Sequence, residues 1–480
     1  MSRPNILFLL ADDHRHDVLG VAGSPVRTPH LDALAARGTR FARHHCQGGM
    51  TGAICAPSRA SILSGREVLA ATAGLGIGTP EAHELAPEAP TLPQVLRENG
   101  YRTYGVGKWH NGTESFHRSF DDGAQIFFGG MSEHTAVPVH DFDPTGAYPD
   151  AARHLAEGFS TDVFVQAVTD LLEAHQQRAG GPAGGGARAD AGAGADDRTG
   201  AGAGGDPGVD DPEPFFLWAA FTAPHDPRTP PEEFARLYDR TDPAAVPLPE
   251  NFRTDPVEAT NFGERDENLA ATPRDPEEVR GHLADYYGMI SHLDDGIGRI
   301  LAHLERSGLA ENTLVVYTAD HGLALGQHGM MGKQSLYEHS LRVPLLLAGP
   351  GIEAGRVLDP LSLHADLLPT LLGLAGAPAP PGVQGHDLGP LLTAPEGAAG
   401  PREVVHAAYV DRARMASDGE HKLIRHLRPF RRDELYALAT DPGETEDVAS
   451  DAALAPIRDR LAASLLAWQQ ASGDPWAEES

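Results

Sequence analysis

The chain has 480 residues, with 38 lysines and arginines against 68 aspartates and glutamates, a formal net charge of −30. A chain of that length can bury a large core, and so acidic a balance excludes a non-specific nucleic-acid binder, which needs surplus cations to displace counterions. Two cysteines cannot build a disulfide framework, and no run approaches the roughly 18 unbroken apolar residues of a membrane helix.

In chain order, the first expected element is a buried strand, Asn5–Leu10, which runs straight into Asp12 and Asp13. No small-residue cleavage site follows, so this start reads as part of the fold and not as a secretory signal. The expected location is the cytoplasm, with no membrane partner. Thr28 and Pro29 read as an N-cap and first helical position, and Gly38 as the stop. In ICAPSRASILSGR, Ile54–Arg66, a cysteine stands just ahead of an expected helix. Thr91–Asn99 is a short helix closed by Gly100, and YRTYGVGKW is the next strand. From Arg178 to Pro214 glycine, alanine and aspartate dominate. That composition cannot offset the entropy of ordering, so a disordered insertion is expected there.

Beyond it FFLWAAF, Phe215–Phe221, suits a strand covered on both faces. Apolar residues from Leu283 to Leu304 recur at steps of three and four, the pattern of an amphipathic helix, weakened by Gly296 and Gly298. Asn312–Thr318, with LVVYT, and Val343–Ala348 are further buried strands. Buried strands alternating with helices predict an α/β fold, a large and mostly parallel sheet flanked by helices. After Pro401 the pattern changes to successive antiparallel strands, turning at Asp418–Gly419, and then a helix near Ala452–Gln470. The expected organisation is a catalytic domain over 4–376, interrupted by the insertion at 178–214, and a smaller C-terminal antiparallel-sheet subdomain over 401–480.

Four chemistry-bearing groups follow predicted strands, where open α/β sheets place their sites. They are Asp12–Asp13, then Lys108 and His110 in GVGKWH, His225 in TAPHDP, and Asp320–His321 in YTADHG. Three carboxylates and an imidazole brought together would suit a divalent cation, and hard oxygens favour calcium, magnesium or manganese. Taken singly, an acidic pair at a strand end is as readily a helix cap, and one of 24 histidines says little. The charge balance adds a constraint. An anionic substrate would need a local cationic cluster within a repelling field.

The order Asp-Asp, CAPSRASILSGR, GKWH, APH, ADHG and GKQSLYEHSLRVP resembles the type I sulfatases of the alkaline phosphatase superfamily, over roughly Pro4 to Gly376. The tail LYALATDPGETEDVA, Leu435–Ala449, is also similar to that family's C-terminal segment. Cys55-Ala56-Pro57-Ser58-Arg59, with Ser64-Gly65-Arg66 behind it, stands where the family carries its recognition sequence for a formylglycine-generating enzyme. The resemblance implies that Cys55 is oxidised to formylglycine (3-oxoalanine), whose hydrate attacks sulfur and then expels sulfate as the aldehyde re-forms.

It implies further that Asp12, Asp13, Asp320, His321 and the modified Cys55 hold one divalent cation, calcium first, with manganese or magnesium as alternatives. Arg59 would fix the formylglycine, Lys108 and Lys333 would clamp the sulfate oxygens, and His110 would trigger release. His225 would contact sulfate or protonate the leaving group. The implied partner is a small sulfated substrate: a carbohydrate, choline or aryl sulfate. One departure is His321, where many of these sulfatases have asparagine. Asp-His-Gly also occurs in choline-sulfatase-like members and in formylglycine-dependent phosphonate monoester hydrolases. A phosphonate monoester or phosphodiester hydrolase is therefore the enzymatic alternative, and a catalytically silent binder of sulfated ligands is the alternative of another class. Cys46 reads as a packing residue and Arg342 as half of a structural ion pair. His14 and His16 are candidates for the pocket border, and the turn-rich region Phe127–Tyr148 for a wall that chooses the alcohol.

Overall fold

Six apolar residues in a row, Ile6 to Ala11, call for a strand with no solvent face, and Asn5–Ala11 is buried along its whole length. In the computed structural model it lies inside an eight-stranded sheet; residues 3–75, 79–180, 213–257 and 265–479 are described. The strands in chain order are Asn5–Ala11 (β1), Thr39–Phe41 (β2), Arg102–Lys108 (β3), Asp122–Phe127 (β4), Phe215–Ala220 (β5), Thr313–Ala319 (β6), Leu345–Ala348 (β7) and Arg356–Leu358 (β8). In space they run β8-β2-β7-β6-β1-β5-β3-β4. β1 pairs in parallel with β6 and β5, and the parallel run continues through β3 to β4. β7 is antiparallel to both its neighbours. The large, mostly parallel sheet expected from the sequence is therefore present.

Alternate residues of β1 feed two cores, as the pleat requires. Ile6, Phe8 and Leu10 face Ile62, Leu63, Leu368 and Leu371 of the helices Cys55–Ser64 and Leu367–Ala375. Leu7, Leu9 and Ala11 face Leu31 and Leu34 of Pro29–Arg37, Phe164 and Val168 of Ser160–Gly180, and Leu293, Ile297 and Ile300 of Pro276–Arg306. The last helix extends well beyond its apolar stripe because Asp275 caps it, accepting from Glu277 N and Glu278 N, with Pro276 at the first position. Gly296, which weakens it intrinsically, admits the neighbouring helix: a Cβ there would lie 2.9 Å from the Thr161 methyl. Among the described residues no helix is long and apolar enough to cross a membrane.

Two expectations change in detail. The run Val343–Ala348 is not one strand. Pro344 has no N–H to donate and interrupts it, so Arg342–Val343 pairs with His44–His45 while Leu345–Ala348 joins the main sheet. The helix from Ser160 continues to Gly180, so it includes the start of the expected insertion; residues 181–212 of that insertion lie outside the described residues.

The C-terminal part is an antiparallel sheet of Val405–Tyr409, Ala413–Ser417, Lys422–His426 and Arg432–Tyr436, with the turn after Ser417 as expected. The fourth strand was not expected; its RRDELY sequence has too few apolar residues to show alternation. Ala455–Ser472 covers one face, burying Leu461 and Leu465 against Leu423 and Leu435. Val405–Tyr409 also pairs with the two-residue strand Gly48–Gly49, and Met415 and Ile424 share a core with Cys46, Ile54 and Tyr337. The C-terminal sheet thus packs directly on the segment that leads into Cys55.

Gly107 marks how tightly β3 is fitted before Lys108. Its φ is +82°, and a Cβ would fall 2.0 Å from the Ala220 carbonyl oxygen. Gly107→Ala should cost about 1–3 kcal/mol or more, whereas Gly281→Ala, whose Cβ would meet only Arg240 Nη1 at 3.7 Å, should stabilise by about 0.5–1 kcal/mol. Urea unfolding of both variants checks the pair; equal effects would contradict this packing.

Candidate active site

The parallel ladder brings the first acidic residues together. Ala11 is opposite Ala319, so β1 and β6 end side by side, and Asp320 N donates to Ala11 O (3.1 Å). Asp13 takes up a left-handed conformation (φ 67°), which aspartate tolerates, and its N–H donates to Asp320 Oδ1 (3.2 Å). The next strands of the ladder, β5 and β3, deliver His225 and Lys108 to the same edge. Lys108 Nζ donates to Asp12 Oδ2, and His225 Nε2 lies 3.9 Å from Asp13 Oδ2.

Cys55 is not ahead of its helix but is the helix's first residue, at the positive end of the backbone dipole. Pro57 fits there because first-turn N–H groups have no intrahelical acceptor to lose. Arg59, four residues on, shares Cys55's face of the helix. Arg59 is wholly buried: its Nε donates to Asp320 Oδ2 (2.9 Å) and its Nη1 to Lys108 O (2.6 Å). The Cys55 sulfur lies 3.0 Å from His321 Nε2 and 3.4 Å from Lys333 Nζ, and Lys333 also donates to Asp13 Oδ1 (2.9 Å).

The imidazoles are oriented by backbone carbonyls, which can only accept. His225 donates from Nδ1 to Asp226 O (2.7 Å) and His321 from Nδ1 to Gly322 O (2.9 Å), so in each the Nε2 faces the cluster. His110, left-handed at φ 65°, faces the Cys55 sulfur, and burial holds it down to about 4.

The charges explain one another. Burial alone would raise the Cys55 thiol, but the Lys108 and Lys333 ammoniums and His321 outweigh it and hold the thiol well below its usual range. Burial opposes ionised Asp12 as well, yet Lys108 draws it down to about 2. Asp320 is pushed up to about 7 by burial and by the charge of Asp12. His321 rises to about 9 despite burial because Asp320 and the Cys55 sulfur favour its cation. Asp12 Oδ1 is buried with no hydrogen-bond partner among the described residues. One ligand atom each from Asp12, Cys55, Asp320 and His321 lies within 4.8 Å of the others, and so does a second set, Asp12, Asp13, Cys55 and His225. An orphaned carboxylate oxygen inside such a set suits a small hard cation.

All ten predicted site residues therefore meet: Asp12, Asp13, Cys55, Arg59, Lys108, His110, His225, Asp320, His321 and Lys333. His14 does not join them; its ring faces Tyr317 OH (2.5 Å) and Val18 O (2.8 Å). Arg342 is structural, donating to Ala42 O (2.7 Å), and Cys46 is a buried free thiol. The Phe127–Tyr148 region does reach the site, with Gly130 against the His110 ring and His134 Nε2 2.9 Å from His225 O. Sequence reading missed a rim beside His225, where Arg265 bridges Asp226 (2.7 and 2.8 Å) and Asp266 (2.6 Å). It also missed His364, whose Nε2 meets Asp320 O at 3.0 Å. Adjacency to His225 could have flagged Asp226; no local pattern flags the others.

A protein kept metal-free and unmatured tests these electrostatics. Thiolate absorbance at neutral pH should come from Cys55 alone, because burial pushes the Cys46 thiol up to about 12. Cys55→Ala should abolish the signal, Cys46→Ala should leave it, and Lys333→Met should raise the pH at which it appears. A silent spectrum at neutral pH would contradict the cationic surroundings assigned to Cys55.

Comparison with known proteins gives concordant matches. The family model described as Sulfatase matches residues 4–184 and 192–377, and one described as N-sulphoglucosamine sulphohydrolase, C-terminal, matches 326–471. An N-acetylglucosamine-6-O-sulfatase of Bacteroides thetaiotaomicron is 26% identical, the alignment covering 96% of this chain and 85% of that one. A choline-sulfatase of Rhizobium meliloti is 27% identical over 100% of this chain and 89% of its own. Among solved structures, BT4656 in complex with its substrate D-glucosamine-2-N,6-O-disulfate superposes with a TM-score of 0.74 at 22% identity, covering 99% of both chains.

Proposed function

The chain belongs to the sulfatase family of the alkaline phosphatase superfamily, and we propose that it cleaves a sulfate monoester to alcohol and sulfate using Cys55 converted to formylglycine and one divalent cation. The observation that carries this reading is the place of Cys55. Its sulfur is surrounded by the carboxylates, both lysines and three imidazoles.

Asp12, Asp13, Asp320, His321 and the modified Cys55 would hold the cation, and the unpaired Asp12 Oδ1 supports the fit. Carboxylate oxygens favour calcium and keep magnesium as a candidate, while the His321 nitrogen is more acceptable to manganese. When bound, the ion supplies Lewis acidity to the sulfate oxygens. Formylglycine, once formed, supplies a hydrated carbon with one hydroxyl to attack and one to release.

The remaining work falls to this chain's own side chains. Lys108 and Lys333 clamp the sulfate oxygens and stabilise the charge that gathers on them during transfer. Arg59, immobilised by Asp320 and the Lys108 carbonyl, fixes the backbone turn that aims residue 55. His225 presents Nε2 toward the leaving alcohol with its Nδ1 proton tied to a carbonyl, the arrangement of a proton donor. His110, neutral at physiological pH, takes the proton from residue 55 that sets sulfate free. Asp12, Asp13 and Asp320 balance Arg59, Lys108 and Lys333, so a divalent ion would leave the pocket cationic inside an acidic protein.

The named relatives support a small sulfated carbohydrate as substrate, with choline and aryl sulfates as the alternatives to assay beside it. A formylglycine-generating enzyme is the partner that maturation requires. Residues 4–376 form the catalytic domain in this reading, with 401–480 appended to it.

Three measurements test the proposal. In matured enzyme Lys108→Ala should lower kcat by about 10²–10³. Cys55→Ala, or removal of the cation by chelation, should abolish turnover, with re-addition of calcium or manganese restoring it after chelation. A panel of glucosamine 6-sulfate, choline sulfate and an aryl sulfate against an aryl phosphodiester should favour a sulfate. A large preference for the diester would install the phosphonate-type alternative, and an unmodified Cys55 peptide with no hydrolysis would install the silent binder.

A further inference from the structure

Of the three permanent cations of the pocket, Lys333 has the least local support. Lys108 ends a strand paired on both sides and Arg59 sits on a helix, but residues 321–337 contain neither helix nor strand. What holds this segment must therefore decide where the Lys333 ammonium stands. On one side Glu267 accepts from Met331 N (3.1 Å) and Gly332 N (3.0 Å), itself held by Arg274 (2.6 Å). On the other side the clamp comes from the C-terminal sheet. Lys422 Nζ donates to Glu338 Oε1 (3.0 Å) and lies 2.9 Å from Glu444 Oε1, while Glu444 Oε2 accepts from Glu338 N (2.7 Å). One residue earlier, Tyr337 OH donates to Glu434 Oε2 (2.9 Å), which Tyr436 OH also reaches (3.0 Å).

Lys422 is completely buried, and Glu444, Glu434 and Glu338 are nearly so. Burying such charges gains little stability over an apolar trio of the same volume. What it does supply is direction. An ammonium held between two carboxylates, one of which also grips a backbone N–H, allows one placement of the Tyr337–Glu338 peptide, whereas apolar contacts would allow several.

We propose that Lys422, acting with Glu444, is a positioning residue for Lys333, so that the C-terminal sheet sets the reach of that ammonium to Cys55. This rests on the role given to Lys333 above. Lys422 touches no reacting atom in this arrangement; it acts through the backbone between residues 333 and 338.

A double-mutant cycle on matured, metal-loaded enzyme tests it, with kcat normalised to formylglycine content measured by mass spectrometry. Lys422→Met should lower kcat for an aryl sulfate about 10–100-fold with KM changed by less than about threefold. In a Lys333→Ala background the same substitution should cost less than about twofold, because the group it positions is gone. A purely structural role would lower the melting temperature and multiply kcat by the same factor in both backgrounds. Equal factors, or an unchanged kcat in Lys422→Met, would overturn the positioning role. If Lys422→Met does not fold, Glu444→Gln, which keeps the shape and leaves Lys422 one carboxylate, carries the same cycle. A Lys333→Ala enzyme with full kcat would instead overturn the reading of Lys333 itself, and the two failures are thereby told apart.

Discussion

Three carboxylates packed at the carboxyl ends of two neighbouring strands, out of reach of water, are the constraint on which the rest of this structure depends. Asp12, Asp13 and Asp320 repel one another, and apart from His321 beside Asp320 the countercharges they need come from residues distant in sequence. The fold answers with one cation from each of three separate elements: Arg59 from the Cys55 helix, Lys108 from the end of β3, and Lys333 from the segment after β6. Leaving a buried charge uncompensated costs about 3–5 kcal/mol, so the carboxylates hold those elements as firmly as the elements hold them.

The same balance makes an acidic protein capable of receiving an anion. Side chains alone leave the cluster near neutrality, which removes the repulsion of the wider surface without yet attracting a sulfate. The positive end of the helix dipole at Cys55 and a divalent ion among the carboxylates would supply the excess. The low-dielectric walls built from the two cores, one on each face of the sheet, would then focus it. Placement of Cys55 as the first residue of a helix, and not in a loop ahead of it, is thus part of the electrostatic design.

The C-terminal sheet has a place in this scheme beyond covering the core. It pairs with Gly48–Gly49 just before the Cys55 helix and grips Tyr337–Glu338 just after Lys333, so it touches the chain on both sides of the site.

How much of this was visible in the amino-acid order follows from the range of each interaction. A strand's burial, a helix's face, a cap such as Asp275 and the side chains that leave a strand's end are set by neighbours a few residues away. For that reason the α/β alternation and the groups that follow strands, Asp12–Asp13, Lys108 and His110, His225 and Asp320–His321, could be read off, whereas Cys55, Arg59 and Lys333 were singled out by the resemblance to a family. The Arg265 bridge between Asp226 and Asp266, the His364 contact to the Asp320 carbonyl, the Gly48–Gly49 pairing and the Lys422 clamp join residues that lie far apart in the chain. Nothing in the local order marks them. By itself, the sequence determined which groups would stand at the carboxyl ends of the strands. Only the tertiary structure decided which of them are paired, which oxygen is left over, and what holds Lys333, because countercharges in a buried site are chosen by distance in space.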